Sequence, residues 1–360
     1  MIPVTKPFLP PKETFDKLTD DIWSRNWLTN NGPLVNELEL NLKEELGVAH
    51  ILFVTNGTIA IQLAIRALEL RGEIITTPFS YVATTSSLVW EDCRPVYVDI
   101  DPRSLNIDPT LIEAAITSET SAILATHCFG NPCDITAIQK IAAKHNLKVI
   151  YDAAHCFGVT YKGRNILNYG DISSISFHAT KLFHTVEGGA VTTNDAELLK
   201  SMANMRNFGH KSHEEFHGLG INGKNSEFHA AMGLSILPYM NSIIEKRKKL
   251  CDRYVLWQEE ANFNIPLLTE GATPNYSYFP VIFPSEGLTL KVFEALRSND
   301  VYARKYFYPT LNKLPYVQNR KCKNAEDISK RILCLPLYND LTESEVDMIC
   351  RLIIRTIKYS

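Results

Sequence analysis

From His50 onward the chain alternates short apolar runs with longer amphipathic ones. Ile51 to Val54, Ile74 to Thr76, Pro95 to Val98, Ala122 to Thr126, Leu147 to Ile150 and Ile172 to Phe177 have strand character. Between them Thr58 to Leu68, Val82 to Trp90, Pro109 to Ile116 and Ile135 to His145 repeat apolar residues at helical spacing. Strands separated by helices call for right-handed crossovers and a mostly parallel sheet covered on both faces. The expected fold class is α/β, with ligands gathered at the carboxyl ends of the strands. A strand from Ala190 to Thr193 and a helix from Asp195 to Met205 extend the pattern, and the aperiodic stretch His210 to Asn225 reads as a mobile loop. Two long helical patterns, Phe228 to Met240 and Ser242 to Glu260, are interrupted at Pro238, a candidate hinge. The strand Tyr276 to Phe283, the helix Leu288 to Arg297 and the terminal helix Glu343 to Ile357 then suggest a compact α+β unit, with Pro280 marking a sheet edge. The expected division is a large domain over 1–240, including the N-terminal segment, and a small C-terminal domain over 241–360.

Composition narrows the class. With 360 residues, 45% hydrophobic and 21% charged, the chain can bury a large core. A net charge of -3, and no basic run beyond Lys246 to Lys249, leave no electrostatic footprint for nucleic acid. The first fifteen residues contain four prolines and no apolar leader core, and no run reaches membrane-spanning length. A soluble cytoplasmic protein is therefore expected. Eight cysteines without a repeated C-x-x-C spacing read as buried thiols. His127, Cys128, Cys133, His155 and Cys156 could meet as a metal site, but zinc sites usually show tighter paired spacing, and no metal is expected.

The chemistry centres on Ser174 to Gly189, S-I-S-F-H-A-T-K-L-F-H-T-V-E-G-G, where Lys181 leaves a buried strand within a turn of small and hydroxyl residues. It is either a solvated loop lysine or a desolvated amine suited to Schiff-base chemistry. Tyr151-Asp152-Ala153-Ala154-His155, at the end of another apolar strand, bears on that choice. An aspartate there can pair with a protonated ring nitrogen while a lysine on a neighbouring strand end holds the same ring by its aldehyde, the pair that pyridoxal phosphate (PLP) requires. Thr55-Asn56-Gly57-Thr58 opens a helix, as a plain N-cap or as a phosphate cradle. Tyr81, after Thr77-Pro78, is either a core aromatic or a ring-stacking residue. Ser176 is either a buried strand serine or a phosphate ligand.

Together these motifs resemble the DegT/DnrJ/EryC1/StrS family of PLP-dependent sugar aminotransferases, of fold type I, over nearly the whole chain. The resemblance implies that Gly57, Thr58, Tyr81, Asp152, Ser176 and Lys181 bind the cofactor, together with His155, where the family commonly has glutamine. It also implies that Trp27 to Pro33, with Thr29 and Asn30, lines a sugar pocket. Gly220 to Ala231 matches the family's G-Y-N-x-R-M-x-D-x-x-A-A, in which the asparagine, here Asn222, reaches a partner's phosphate across a homodimer interface. Lys224 stands where arginine is usual. Arg304 to Pro309 reads equally as a surface turn or as a substrate contact, making Arg304, Tyr306 and Tyr308 candidates.

The implied reaction passes the amine of L-glutamate through pyridoxamine phosphate, releasing 2-oxoglutarate. Its acceptor would be a nucleotide-linked 4-keto-6-deoxyhexose, dTDP-4-keto-6-deoxy-D-glucose, for surface polysaccharide synthesis, with Lys181 moving the proton. Amination at C3 is the alternative within the family. Sugar dehydratases of the family carry histidine in place of the lysine, so Lys181 counts against that reading even with His178 and His184 nearby. A nicotinamide-dependent dehydrogenase would need G-x-G-x-x-G, and Thr55 to Gln62 contains only Gly57. A non-catalytic sensor on this fold would have lost Lys181 or Asp152.

Overall fold

A computed structural model describes residues 1–212 and 214–359. Its centre is a seven-stranded sheet: β1 (His50–Val54), β2 (Glu73–Thr76), β3 (Arg94–Tyr97), β4 (Thr120–Thr126), β5 (Lys148–Asp152), β6 (Ile172–Ser176) and β7 (Gly189–Thr193). In space the order is β1-β7-β6-β5-β4-β2-β3. Strands β6, β5, β4, β2 and β3 run parallel, and β7 is antiparallel to both its neighbours, β1 and β6.

The alternating burial follows from the pleat, which sends successive side chains to opposite faces. Phe53, Ile75, Ile123, Val149 and Ile175 point to one face and pack with α2 (Pro33–Leu46), α5 (Ile135–His145) and α7 (Glu227–Ile236). Leu52, Ile74, Leu124, Ile150 and Val191 point to the other, against α3 (Gly57–Ala67) and α6 (Ala196–Arg206). Helices therefore cover both faces, as the alternation of elements requires.

The chain continues through a 3-10 turn at Leu237–Tyr239, where Pro238 interrupts the helical pattern, into α8 (Met240–Val255). A second core gathers α8, α9 (Glu286–Arg297), the terminal helix (Glu343–Lys358) and a two-stranded antiparallel ribbon of β8 (Phe279–Ile282) and β9 (Ile332–Leu335). Ile2 belongs to this core and bridges to Val301. A third apolar cluster joins the two bodies, setting Phe79 and Tyr97 against Ile282, Phe307 and Ile332.

Two segments depart from the pattern. Pro109 to Ile116 forms two 3-10 turns, Pro109–Leu111 and Glu113–Ala115, instead of a helix. Only Ile112 and Ala115 are buried there, too few anchors to sustain a helix by packing. The strand expected over Tyr276 to Phe283 shrinks to β8, because Asn275 and Ser277 are drawn toward His155, donating to its carbonyl at 2.8 and 3.0 Å. The loop after α6 is pinned near its ends by bridges Asn207–Asn222 and His210–Phe216, and Lys224 and Asn225 are buried. Among the described residues, no helix is long and apolar enough to cross a membrane.

Candidate active site

The carboxyl ends of β1, β2, β4, β5 and β6 open into one cleft of about 480 Å³. Asp152 closes β5 and is almost wholly buried. Its Oδ2 accepts from the Thr84 hydroxyl at 2.7 Å and its Oδ1 from the Ala154 amide at 3.1 Å. Burial pushes this carboxyl up, and the two donors and the Lys181 cation pull against it.

Lys181 sits just past β6, in a compact turn fixed by its own backbone. The Lys181 amide donates to His178 O at 2.8 Å, Ala179 N to Val186 O at 2.7 Å, and Phe177 N to Gly188 O at 2.8 Å. Leu182 and Phe183 are buried behind it, and Phe183 stacks on Phe157 with ring centroids 4.5 Å apart. The amine thus projects from a rigid base, 6.0 Å from the Tyr278 ring centre. Burial brings its pKa down to about 8, with Arg304 pushing the same way and Asp152 and Tyr81 opposing. That is the desolvated lysine, not the solvated one.

Asn56 caps α3, its Oδ1 accepting from Ile59 N at 2.9 Å, so the plain cap is present. The amides of Gly57 and Thr58, at the start of that helix, have no intrahelical acceptor, and both residues line the cleft, where an anion site would need them. The turn is pressed against the sheet. A Cβ on Gly57 would lie 3.0 Å from Ser176 Cβ, and one on Gly189 would lie 2.6 Å from the Asn56 carbonyl carbon. The cap and the cradle are therefore one structure.

His155 is buried beside Tyr278, and among the described residues its Nδ1 has no hydrogen-bond partner. Burial holds the imidazole well below its ordinary pKa, so it is neutral and able both to donate and to accept. Tyr81 lines the cleft at the start of α4 (Val82–Trp90) and is half exposed. Arg304, tied to β9 by backbone bonds with Cys334, also lines it, its guanidinium 4.3 Å above the Tyr306 ring.

The cleft thus collects Gly57, Thr58, Tyr81, Asp152, His155, Ser176, Lys181, Arg304 and Tyr306. Asn222, Lys224, Thr29, Asn30 and Tyr308 lie outside its lining. Asn222 is exposed and accepts from Lys224 Nζ at 2.8 Å, while that ammonium lies 4.6 Å over Phe208. Thr29 and Asn30 are exposed in a turn held by Glu227, whose amide donates to Leu28 O at 3.0 Å. The fully buried Glu227 carboxylate accepts from Leu34 N and Val35 N at 3.0 and 2.9 Å, capping α2. Tyr308 lies under the Lys305 ammonium.

Sequence reasoning missed Ser80, Thr126 and Phe307 in the cleft lining, Thr84 buried behind Asp152, and Glu227 beneath the turn. Glu227 does occupy the acidic place in the G-I-N-G-K-N-S-E segment, which was the available signal. His127, Cys128 and Cys133 turn to protein partners: His127 Nδ1 accepts from Cys133 N, while Cys128 and Cys133 donate to Phe79 O and Thr126 O. Among the described residues, no three His, Cys, Asp or Glu side chains converge as a metal site. His178 lies at the cleft edge, 3.6 Å from Glu187, and His184 is buried against Phe8 O.

Residues 11–354 match the DegT/DnrJ/EryC1/StrS aminotransferase family. The chain belongs to that family. A family member from Shigella dysenteriae, named dTDP-4-amino-4,6-dideoxy-D-glucose transaminase, is 43% identical over 353 residues, covering 96% of each chain. The crystal structure of DesI in the presence of its TDP-sugar product superposes with a TM-score of 0.93 at 31% identity, covering 98% of this chain and 92% of that one. The crystal structure of a Bacillus subtilis protein, NtdA, with bound cofactor PMP superposes with a TM-score of 0.89 at 28% identity over 96% of this chain and 82% of that one. The fold is that of the PLP-dependent sugar aminotransferases, and this family member is an aminotransferase.

Proposed function

We propose that this aminotransferase uses PLP to move the amine of L-glutamate onto C4 of dTDP-4-keto-6-deoxy-D-glucose. The observation that carries the reading is the meeting, in one cleft, of a buried carboxylate at the end of β5, a lysine with lowered pKa just past the neighbouring β6, and a helix-start cradle after β1. The orphaned His155 Nδ1, the glycine contacts at 57 and 189, and the open lone pairs of Asp152 fit a flat, phosphorylated pyridine. When bound, PLP supplies an electron sink that stabilises negative charge on a carbon attached to the amine.

The protein does the rest. The Gly57 and Thr58 amides, the Thr58 hydroxyl and Ser176 would hold phosphate, Tyr81 would cover the ring face, and His155 would bond the ring hydroxyl. Asp152 would hold the proton on the ring nitrogen. Lys181, with a pKa close to neutrality, removes the proton from the donor's α-carbon and later delivers one to the sugar at C4. One amine serves both half-reactions because each needs the opposite transfer at the same place.

The active unit is a homodimer in this reading. Asn222, Thr29 and Asn30 are exposed and outside their own chain's cleft, which supports their serving the partner's site. The separate C-terminal core and the Pro238 turn favour a division near residue 240, but the first residues belong with the smaller body, since Ile2 packs in its core and bonds to Asp300 and Tyr302. The eight cysteines, all buried and unpaired, suit a reducing cytoplasm.

The test incubates the protein, PLP and L-glutamate separately with dTDP-4-keto-6-deoxy-D-glucose and its 3-keto isomer, then locates the new amine by NMR. Borohydride reduction of the loaded protein should trap the cofactor on Lys181. An amine at C3 would overturn the C4 assignment, and trapping on another lysine would overturn the site.

A further inference from the structure

Three buried hydroxyls form a line ending on Asp152. Thr84 Oγ1 donates to Asp152 Oδ2 at 2.7 Å, Thr84 Oγ1 and Ser80 Oγ lie 2.7 Å apart, and Thr126 Oγ1 donates to Ser80 Oγ at 3.1 Å. All three side chains are buried, so water has little access to compete. Each hydroxyl owns one proton. A carboxylate can only accept, so the Thr84 proton is committed to Asp152. Ser80 must then be the donor to Thr84, and with its proton spent it can only accept, which leaves Thr126 as the source. The direction of the line is fixed from end to end.

Aligned donors polarise one another and concentrate their effect on the last acceptor. That acceptor sits where burial alone favours a neutral carboxyl. The line also joins three separate pieces of the fold. Thr126 ends β4 and is the register partner of Asp152, Ser80 lies in the turn after β2, and Thr84 stands in the first turn of α4.

We propose that Thr126, Ser80 and Thr84 form a one-way hydroxyl relay that keeps Asp152 ionised and fixed, so that a proton shared with the cofactor rests on the ring nitrogen. The inference rests on the PLP reading above. The three are positioning residues, acting through Asp152 without touching substrate. Removing a donor from a carboxylate raises its proton affinity, so loss of the Thr84 hydroxyl should draw the shared proton off the ring and onto Asp152. If the hydroxyls merely satisfied one another as buried polar groups, the variants would lose stability without moving that proton.

The experiment loads full-length holoenzyme with cofactor carrying 15N at the ring nitrogen and follows its resonance against pH. Wild type should show a protonated ring. In Thr84→Val the resonance should move toward neutral pyridine, and the pH at which the ring loses its proton should fall by roughly one to two units, the range of a hydrogen bond to a charged group. Ser80→Ala, one link further back, should shift it the same way by less, and Thr84→Ser should restore the wild-type position. Wild-type resonances in both Thr84→Val and Ser80→Ala would overturn the relay while leaving Asp152 as the ring's partner. An unprotonated ring in wild type would overturn that partnership itself. Should Thr84→Val not fold, Ser80→Ala decides.

Discussion

Replacing Lys181 by methionine should stabilise the cofactor-free protein. The methionine keeps the length of the side chain and removes its charge. An ordinary lysine has a pKa of 10.5, and burial lowers that of Lys181 to about 8. Each pH unit is worth about 1.4 kcal/mol, so holding the charged amine in the folded protein costs about 3 kcal/mol at neutral pH. The sign follows from proton counting. Between pH 8 and 10.5 the unfolded chain keeps the proton that the folded chain has lost, so wild-type stability rises with pH through that window. Below it both states are protonated and the cost stands in full; above it neither is, and the cost vanishes. Urea unfolding of cofactor-free wild type and Lys181→Met should therefore differ by about 3 kcal/mol at pH 7, with the variant more stable, and the gap should close toward pH 10.5. A variant no more stable than wild type at pH 7, or a gap independent of pH, would refute the desolvated amine. The same lowering would serve the proposed proton transfer, since a lysine with a pKa of about 8 has far more neutral amine at neutral pH than an ordinary one.

Glu227→Ala would leave two α2 amides without an acceptor in a buried place. Urea unfolding should show a loss of about 3–5 kcal/mol, and a loss under about 1 kcal/mol would mean the cap contributes little. Mixing Lys181→Ala with Asn222→Ala subunits should recover activity if Asn222 serves the partner's cleft. Verified mixed dimers without recovery would place Asn222 elsewhere.

Much of the site was legible because it rests on residue types whose chemistry is unusual at strand ends. Lys181 and Asp152 stand out in the sequence for that reason, and both line the cleft. The helices Val82–Trp90 and Ile135–His145 match residue for residue, since both follow clear turn residues and strong apolar periodicity. Thr84 was invisible because a threonine inside a helix carries no periodic signal, and its partner is 68 residues away. Glu227 was hidden similarly, as its acceptors' donors lie almost two hundred positions upstream. The shortened β8 shows the limit of pattern alone: the residues before it are apolar enough for a strand, and side-chain bonds to His155 decide otherwise.

The pairing of β1 with β7 joins His50 to Thr193 and Val54 to Gly189. Such distant partners meet only after a large loop has closed, a slow step in folding. Until β1 arrives, β7 presents an open edge able to recruit another chain. The same docking presses Asn56 and Gly57 against Ser176 and Gly189 and so creates the cradle at the start of α3. If the cofactor phosphate binds there as proposed, it would recognise a completed sheet and no earlier state, and its binding would withdraw molecules from the aggregation-prone population, making cofactor supply a determinant of how much protein survives synthesis.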